Sequence, residues 1–235
     1  DYWITVKDGF GCESNYVPIY IEEPEPVNIT IEDEEGEELP DPEVIELSNY
    51  NGYNISCFGG SNGWVEVTIS ENVGNAPFTV TLYLGGSGGE EIEQFIDVNL
   101  GESVLFDNLS AGEDYLVEVW DENYNASAEN DACAAQVGFE MTQPDELSVN
   151  LNPYDYNCGY QVSCFEAEDA SISANISGGN TNAIGEGYTF IWEELSDTDG
   201  DGENETSIII VDPNDDGVLE NIGAGWYAVT VEDWY

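Results

Sequence analysis

The sequence predicts an all-β protein made of tandem antiparallel β-sandwich modules, and three observations predict it. One phrase occurs three times, as Tyr2-Trp3-Ile4-Thr5-Val6-Lys7-Asp8, Tyr115-Leu116-Val117-Glu118-Val119-Trp120-Asp121 and Tyr227-Ala228-Val229-Thr230-Val231-Glu232-Asp233, in steps of 113 and 112 residues. Each copy alternates apolar with other side chains and closes on an acid, the pattern of a half-buried strand entering a turn. Short alternating runs bounded by Gly, Asn and Asp fill the rest of the chain, with no amphipathic helical stretch of any length. A repeat of about 113 residues is one domain long, which means an array of similar modules.

The positions of the phrase set the expected boundaries. Residues 1–25 are the closing strands of an upstream repeat, 26–143 a complete sandwich, and 144–235 a second sandwich truncated before its last strand. The upstream piece reads as a strand at Tyr2–Val6, a turn at Asp8-Gly9-Phe10-Gly11 and a last strand at Val17–Ile21. Glu23-Pro24-Glu25-Pro26 marks a stiff, extended link, and Met141-Thr142-Gln143-Pro144-Asp145-Glu146 marks the next one.

In the first full module, strands are expected at Val27–Ile31, Trp64–Ile69, Phe78–Leu84, Ser103–Phe106, the phrase at Tyr115, and Val137–Met141. Glu32-Asp33-Glu34-Glu35-Gly36-Glu37-Glu38 is a solvated like-charge loop, and Gly85-Gly86-Ser87-Gly88-Gly89 a hairpin end. Leu109, Gly112 and Tyr115 form a structural corner. It resembles the tyrosine corner of immunoglobulin-like sandwiches, where the phenol bonds back to upstream backbone. The second module repeats the order with Leu147–Leu151, Ser171–Ile176, Tyr188–Glu193, Ser207–Val211 and the phrase at Tyr227. The expected class is therefore tandem immunoglobulin-like antiparallel β-sandwich modules.

Composition narrows the function. The 235 residues hold 51 acids, one Lys (Lys7), no Arg and no His, for a net charge of −50. Hydrophobic residues make up 41% and aromatic residues 12%, so each module can bury a core despite that charge. Nothing is available to neutralise phosphates, which argues against nucleic acid, and anionic membrane surfaces repel such a chain. No run of 18 apolar residues exists to insert into a bilayer. Without His, neither a Ser-His-Asp nor a Cys-His catalytic arrangement can form, nor a His-based zinc site. Carboxylate pairs alone remain for acid–base work, and with 51 acids a close pair carries no information. The reading is a protein that is not an enzyme and whose natural partners are cations.

The cysteines are Cys12, Cys57, Cys133, Cys158 and Cys164. Cys57 and Cys164 sit in matching phrases, Ile55-Ser56-Cys57-Phe58 and Val162-Ser163-Cys164-Phe165. Cys12 and Cys133 each follow the recurring phrase by a turn. One disulfide per module, from the early cysteine to the late one, pairs Cys57 with Cys133 and implies an oxidising exterior. Cys158 has no counterpart; it pairs with Cys164 or stays a thiol.

The run Ile55-Ser56-Cys57-Phe58-Gly59-Gly60-Ser61-Asn62-Gly63, with Ala76-Pro77-Phe78-Thr79-Val80, Leu109-Ser110-Ala111-Gly112, Tyr115 and a late Cys, resembles the SprB-type repeat of very large Bacteroidota surface adhesins. PKD and fibronectin type III modules share its corner and sandwich. The second module departs from the pattern at Phe165-Glu166-Ala167-Glu168-Asp169. The resemblance implies display on the outer cell surface, export by the type IX secretion system, and a role in attachment or gliding motility. It implies neighbouring repeats as partners, and surface polysaccharide or other filament subunits beyond them.

One local motif points to a cofactor. Asp197-Thr198-Asp199-Gly200-Asp201-Gly202-Glu203-Asn204-Glu205 places oxygens at alternate positions, as calcium loops do. Asp197, Asp199, Asp201, Glu203 and Glu205 are the candidate calcium ligands. The position of the bidentate EF-hand Glu is Ile208, so the run is not an EF-hand. The other reading is a solvated acidic hairpin loop. Asn-x-Ser/Thr sequons begin at Asn28, Asn54, Asn108, Asn125, Asn175 and Asn204 and suit glycans only in a eukaryotic or archaeal exterior. Among the tryptophans, Trp120 and Trp234 are expected at module contacts and the others in cores. A stalk of sandwiches is the expected function. A carbohydrate-binding module, or a polymer subunit completed by a neighbour's strand, is the alternative.

Overall fold

The structure is a computed structural model describing residues 2–15, 17–22, 25–27, 29–31, 43–70, 73–124, 133–156, 159–181, 187–198, 204, 206–210 and 216–233. All regular structure among them is β. Two compact units divide the chain. The first comprises 1–46, 66–105 and 115–139, the second 47–65, 106–114 and 140–235.

The first unit begins with a two-stranded antiparallel sheet of β1 (Tyr2–Ile4) and β2 (Val17–Ile19), with Tyr2 opposite Ile19. Lys7 and Glu13 form an ion pair of 2.5 Å across the turn. Next come β3 (Ile29–Ile31) and β4 (Glu43–Leu47), which run parallel, an exception to the antiparallel expectation. With β5 (Gly63–Thr68) and β8 (Ser103–Leu109) they form one sheet, in the order β3-β4-β5-β8. The unit boundary falls inside β5 and β8.

A second sheet has the order β10-β9-β6-β7, from β6 (Phe78–Leu84), β7 (Glu90–Val98), β9 (Asp114–Trp120) and β10 (Ala134–Glu140). Alternation dictates the packing. Val65 and Val67 of β5, and Tyr115, Val117 and Val119 of β9, turn inward at every second position. Phe78, Val80 and Leu82 of β6 are buried to the same depth. Each such side chain contributes about 1.5–3 kcal/mol of burial. β7 differs, being exposed along almost all its length, because it is an acidic edge strand.

The second unit holds two three-stranded sheets. One has the order β11-β12-β15, from β11 (Ser148–Pro153), β12 (Ala170–Ser177) and β15 (Val218–Ile222). The other has the order β14-β13-β16, from β13 (Thr189–Ser196), β14 (Thr206–Ile210) and β16 (Trp226–Glu232). Ala170, Trp192, Leu219 and Ile222 are its buried cluster, flanked by half-buried Phe190, Tyr227 and Val229. The expected β-sandwich class holds.

The proposed Cys57–Cys133 disulfide is a correction, since no disulfide joins the two. Cys133 immediately precedes β10, where its carbonyl accepts from Asp121 N–H at 3.0 Å. Cys57 lies beside the residues that follow β10, because Asn54 and Ile55 donate to the Thr142 carbonyl and Gly59 to the Gln143 side chain.

Candidate functional site at a buried joint

The acid that closes the recurring phrase is a backbone clamp. Asp121 is buried, and its carboxylate accepts from the N–H of Asn75 and of Asn123, both at 2.9 Å. Asp233 accepts from the N–H of Asn180 at 2.8 Å. Asp8 accepts from the N–H of Phe10 and of Cys12, both at 2.9 Å.

The residue before each clamped Asn is a glycine with positive φ, Gly74 at 45° and Gly179 at 73°. A Cβ there would lie 3.2 Å and 2.9 Å from the respective carboxylate, so only glycine lets the acid close on the amide. The preceding link joins in, as Gly74 donates to the Glu25 carbonyl at 3.0 Å and Gly179 to that of Asp145 at 2.9 Å.

Asn180 carries the clamp further. Its side chain is fully buried, and its amide donates to the carbonyls of Tyr50 at 2.8 Å and Ser56 at 3.3 Å. Asn51 returns the contact, donating to the Asn180 side chain and to the Thr181 carbonyl. The loop joining β4 to β5 is thus bonded to the loop joining β12 to β13, with Pro144 of the intervening link buried. A buried amide with its donors and acceptor engaged is rigid, because every alternative leaves a polar group unpaired.

Two clefts lie in the second unit. A cavity of about 810 Å³ is lined by Tyr160, Val162, Cys164, Phe165 and Ala224, and a neighbouring one of about 350 Å³ reaches Ile222 and Tyr227. Phe165 is 90% exposed and Tyr160 68%. The wall between 161 and 169 is pinned by Asp169, whose carboxylate accepts from Ser163 N–H at 3.0 Å. Hydrogen bonds from the Ser163 hydroxyl first, and from its amide second, hold the carboxyl below the usual range. Tyr156 donates its phenol to the Asp169 carbonyl at 3.1 Å, and desolvation followed by the Asp169 charge pushes that phenol up.

Leu109 and Tyr115 are buried, and Gly112 takes φ of 72°. Tyr115 stacks on Phe139 with ring centroids 5.5 Å apart. The phenol bond back to backbone is seen at Tyr227, which donates to the Gly223 carbonyl at 3.1 Å.

Of the calcium candidates, Asp197 is exposed in the turn after β13, while Asp199, Asp201, Glu203 and Glu205 lie outside the described residues. No cluster of metal-ligating side chains occurs among the described residues. Cys158 and Trp234 also lie outside them. Trp120 stacks on Tyr124 at 5.5 Å, and Trp192 is fully buried with its indole N–H unpartnered. Sequence reasoning missed Asn75 and Asn180. Their signal was the Gly-Asn pair at Gly74-Asn75 and Gly179-Asn180, placed alike just before the strands β6 and β13.

No family model matches the chain, and no curated protein matches it.

Proposed function

We propose that this chain is a non-enzymatic structural and adhesive repeat region of a large secreted filament or stalk on the cell surface. The filament serves attachment or gliding. Asn180 is the observation that supports this reading most strongly. A fully buried side chain bonded to two carbonyls 130 and 124 positions away is a costly feature that a flexible tether does not need.

The mechanism is mechanical. Sandwich cores resist unfolding, proline-bearing links limit bending, and the acid–glycine–asparagine clamp transmits load from one module to the next. A charge of −50 keeps neighbouring filaments apart and attracts cations. The lack of His and Arg, with a single Lys, supports a non-catalytic role. Partners in this reading are neighbouring repeats, and polysaccharide or other filament subunits at the surface.

Nitrogen-15 relaxation tests the joint. The native protein tumbles with one correlation time on both sides of Pro144, and Asn180→Ala separates it into two. Independent tumbling in the native protein would contradict the stalk.

Calcium is a second part of the proposal. Asp197, Asp199, Asp201, Glu203 and Glu205 bind it in the loop between β13 and β14 and stiffen that hairpin. Saturating calcium then raises the thermal midpoint, and replacing Asp199 and Asp201 with Asn removes the rise. An unchanged midpoint would reduce the loop to surface charge.

A further inference from the structure

The sequence holds two Asn-Gly pairs, Asn51-Gly52 and Asn62-Gly63. The first fills the two central positions of the tight turn between Tyr50 and Tyr53, whose backbones bond to each other across it. Asn51 takes φ of 57° and Gly52 of 88°, and a two-residue turn of this kind requires both to be positive. Both residues are exposed to water. They belong to the second unit, as do Asn180 and Thr181.

An Asn-Gly pair is also open to self-modification, because glycine has no Cβ to shield its backbone nitrogen. In that reaction the Gly52 nitrogen gives up its proton and attacks Cγ of Asn51. A new C–N bond closes a succinimide ring, the Cγ–Nδ2 bond breaks, and Nδ2 leaves as ammonia. Water then opens the ring at either carbonyl, leaving aspartate or isoaspartate. The joint occupies both reacting groups. Gly52 N–H donates to Asn49 Oδ1 at 2.8 Å. Asn51 Nδ2 donates to Asn180 Oδ1 at 3.4 Å and to the Thr181 carbonyl. The Asn51 side chain must let go of Asn180 and Thr181 before its Cγ can turn onto the Gly52 nitrogen.

The product cannot remake these bonds. Aspartate presents oxygen where Asn51 Nδ2 donated, facing Asn180 Oδ1 and the Thr181 carbonyl. Turning the Asn180 amide over would offer the new carboxylate a donor. It would also aim the Asn180 oxygen at the Tyr50 and Ser56 carbonyls that its nitrogen now serves. In either setting an acceptor meets an acceptor. The one basic side chain of the protein, Lys7, is committed to Glu13. Isoaspartate adds a methylene to the backbone and disrupts the turn as well.

We propose that Asn51-Gly52 is a self-modification site gated by the Asn180 clamp. Opening of the loop admits succinimide formation, and the product holds the loop open, so each event is one-way. Asn62-Gly63 is the built-in contrast. Asn62 Oδ1 accepts from Ser56 N–H at 3.1 Å and its Nδ2 donates to Ser56 Oγ at 2.9 Å. Gly63 is buried at the start of β5, where an added Cβ would lie 2.6 Å from Ile55 Cδ1. That pair reacts only when the strand itself unfolds. The site rests on the clamp geometry alone, and stands whether or not the chain belongs to a surface stalk.

The test incubates the whole chain at mildly alkaline pH and follows aspartate and isoaspartate at both pairs by peptide mapping and mass spectrometry. Native protein, Asn180→Ala and protein unfolded in urea are compared. Asn51 is expected to react slowly in the native protein and fastest in urea. In Asn180→Ala its rate rises about tenfold, the factor by which losing a buried hydrogen bond favours local opening. Asn62 is expected to react in urea alone. A native rate at Asn51 equal to that in urea overturns the proposal. So does a rate unchanged by Asn180→Ala, an equal rise at Asn62, or no product in urea. The product is tested separately, in case Asn180→Ala does not fold. Asn51→Asp should lower the thermal midpoint more than Asn51→Ala, and still do so near ~1 M salt, where the Debye length of ~3 Å screens the distant acids. Equal midpoints for the two variants overturn the one-way step.

Discussion

Asn180 is a single amide whose removal takes a donor from each of the carbonyls of Tyr50 and Ser56, of which Tyr50 keeps the Tyr53 N–H at 3.4 Å. A buried acceptor left unsatisfied costs about 1–3 kcal/mol. Asn180→Ala is therefore expected to lower stability by that amount in chemical denaturation, while an exposed change such as Asn152→Ala leaves it within about 0.5 kcal/mol. Gly179→Ala acts on the same clamp from the backbone side, because its Cβ would press on Asp233 and its φ of 73° disfavours any side chain.

Asp169 makes a pH prediction with a definite sign. Its carboxyl is held below the ordinary value by hydrogen bonds from the Ser163 hydroxyl and then the Ser163 amide, so the folded state favours the charged form. Its contribution is present above the unfolded pKa of about 3.9 and is lost as pH falls through the lower folded value. Protonating the other carboxylates relieves their repulsion over the same acid range and works in the opposite direction. The comparison to make is therefore wild type minus Asp169→Asn, from pH 5 to pH 2. The difference in stability should shrink as the acid titrates, and a difference constant across that range would contradict the assignment.

At the scale of elements, the strands with apolar alternation were legible in the sequence. Phe78–Leu84 occupies the expected span, and the two outer copies of the recurring phrase form β1 and β16. Three strands escaped notice, β4, β7 and β15. β7 reads Glu-Glu-Ile-Glu-Gln-Phe-Ile-Asp-Val, with bulges in its pairing to β6, so the apolar residues lose the period of two. Its strand character comes from the partner's ladder and not from its own pattern. β4 follows the acidic block, whose charge masked the short run Val44-Ile45.

The joint was half legible. The closing acids were visible as a repeat, but their amide partners lie in loops whose Gly-Asn pairs read as ordinary turns. The Cys57–Cys133 pairing failed because matching positions in a repeat set no distance between two residues.

Trp192 tests the second core. Its ring is fully buried beside Ala170, Leu219 and Ile222, so Trp192→Ala is expected to cost about 3–5 kcal/mol. Trp192→Phe loses volume but also removes a buried donor without a partner, and should cost distinctly less. Equal losses for the two would mean that the indole N–H has a partner in solution. Thermal denaturation followed by near-ultraviolet circular dichroism reads both.

At the scale of the whole molecule, electrostatics opposes the fold. With 51 acids and one lysine, the folded state gathers like charge, and no ion-pair network balances it. Raising salt from ~10 mM to ~1 M shortens the Debye length from ~30 Å to ~3 Å. The thermal midpoint should climb over that range with any monovalent salt. A flat response would mean that the acids are already neutralised by bound cations.

If folded sandwiches in series, clamped at Asn180, bear load, then stretching single molecules between their ends gives discrete unfolding events, each releasing on the order of 35 nm, as expected for about 100 residues at ~3.5 Å per residue. The account predicts that Asn180→Ala lowers the force at which the first of them occurs. A smooth, featureless extension at low force, unchanged by that substitution, would contradict it.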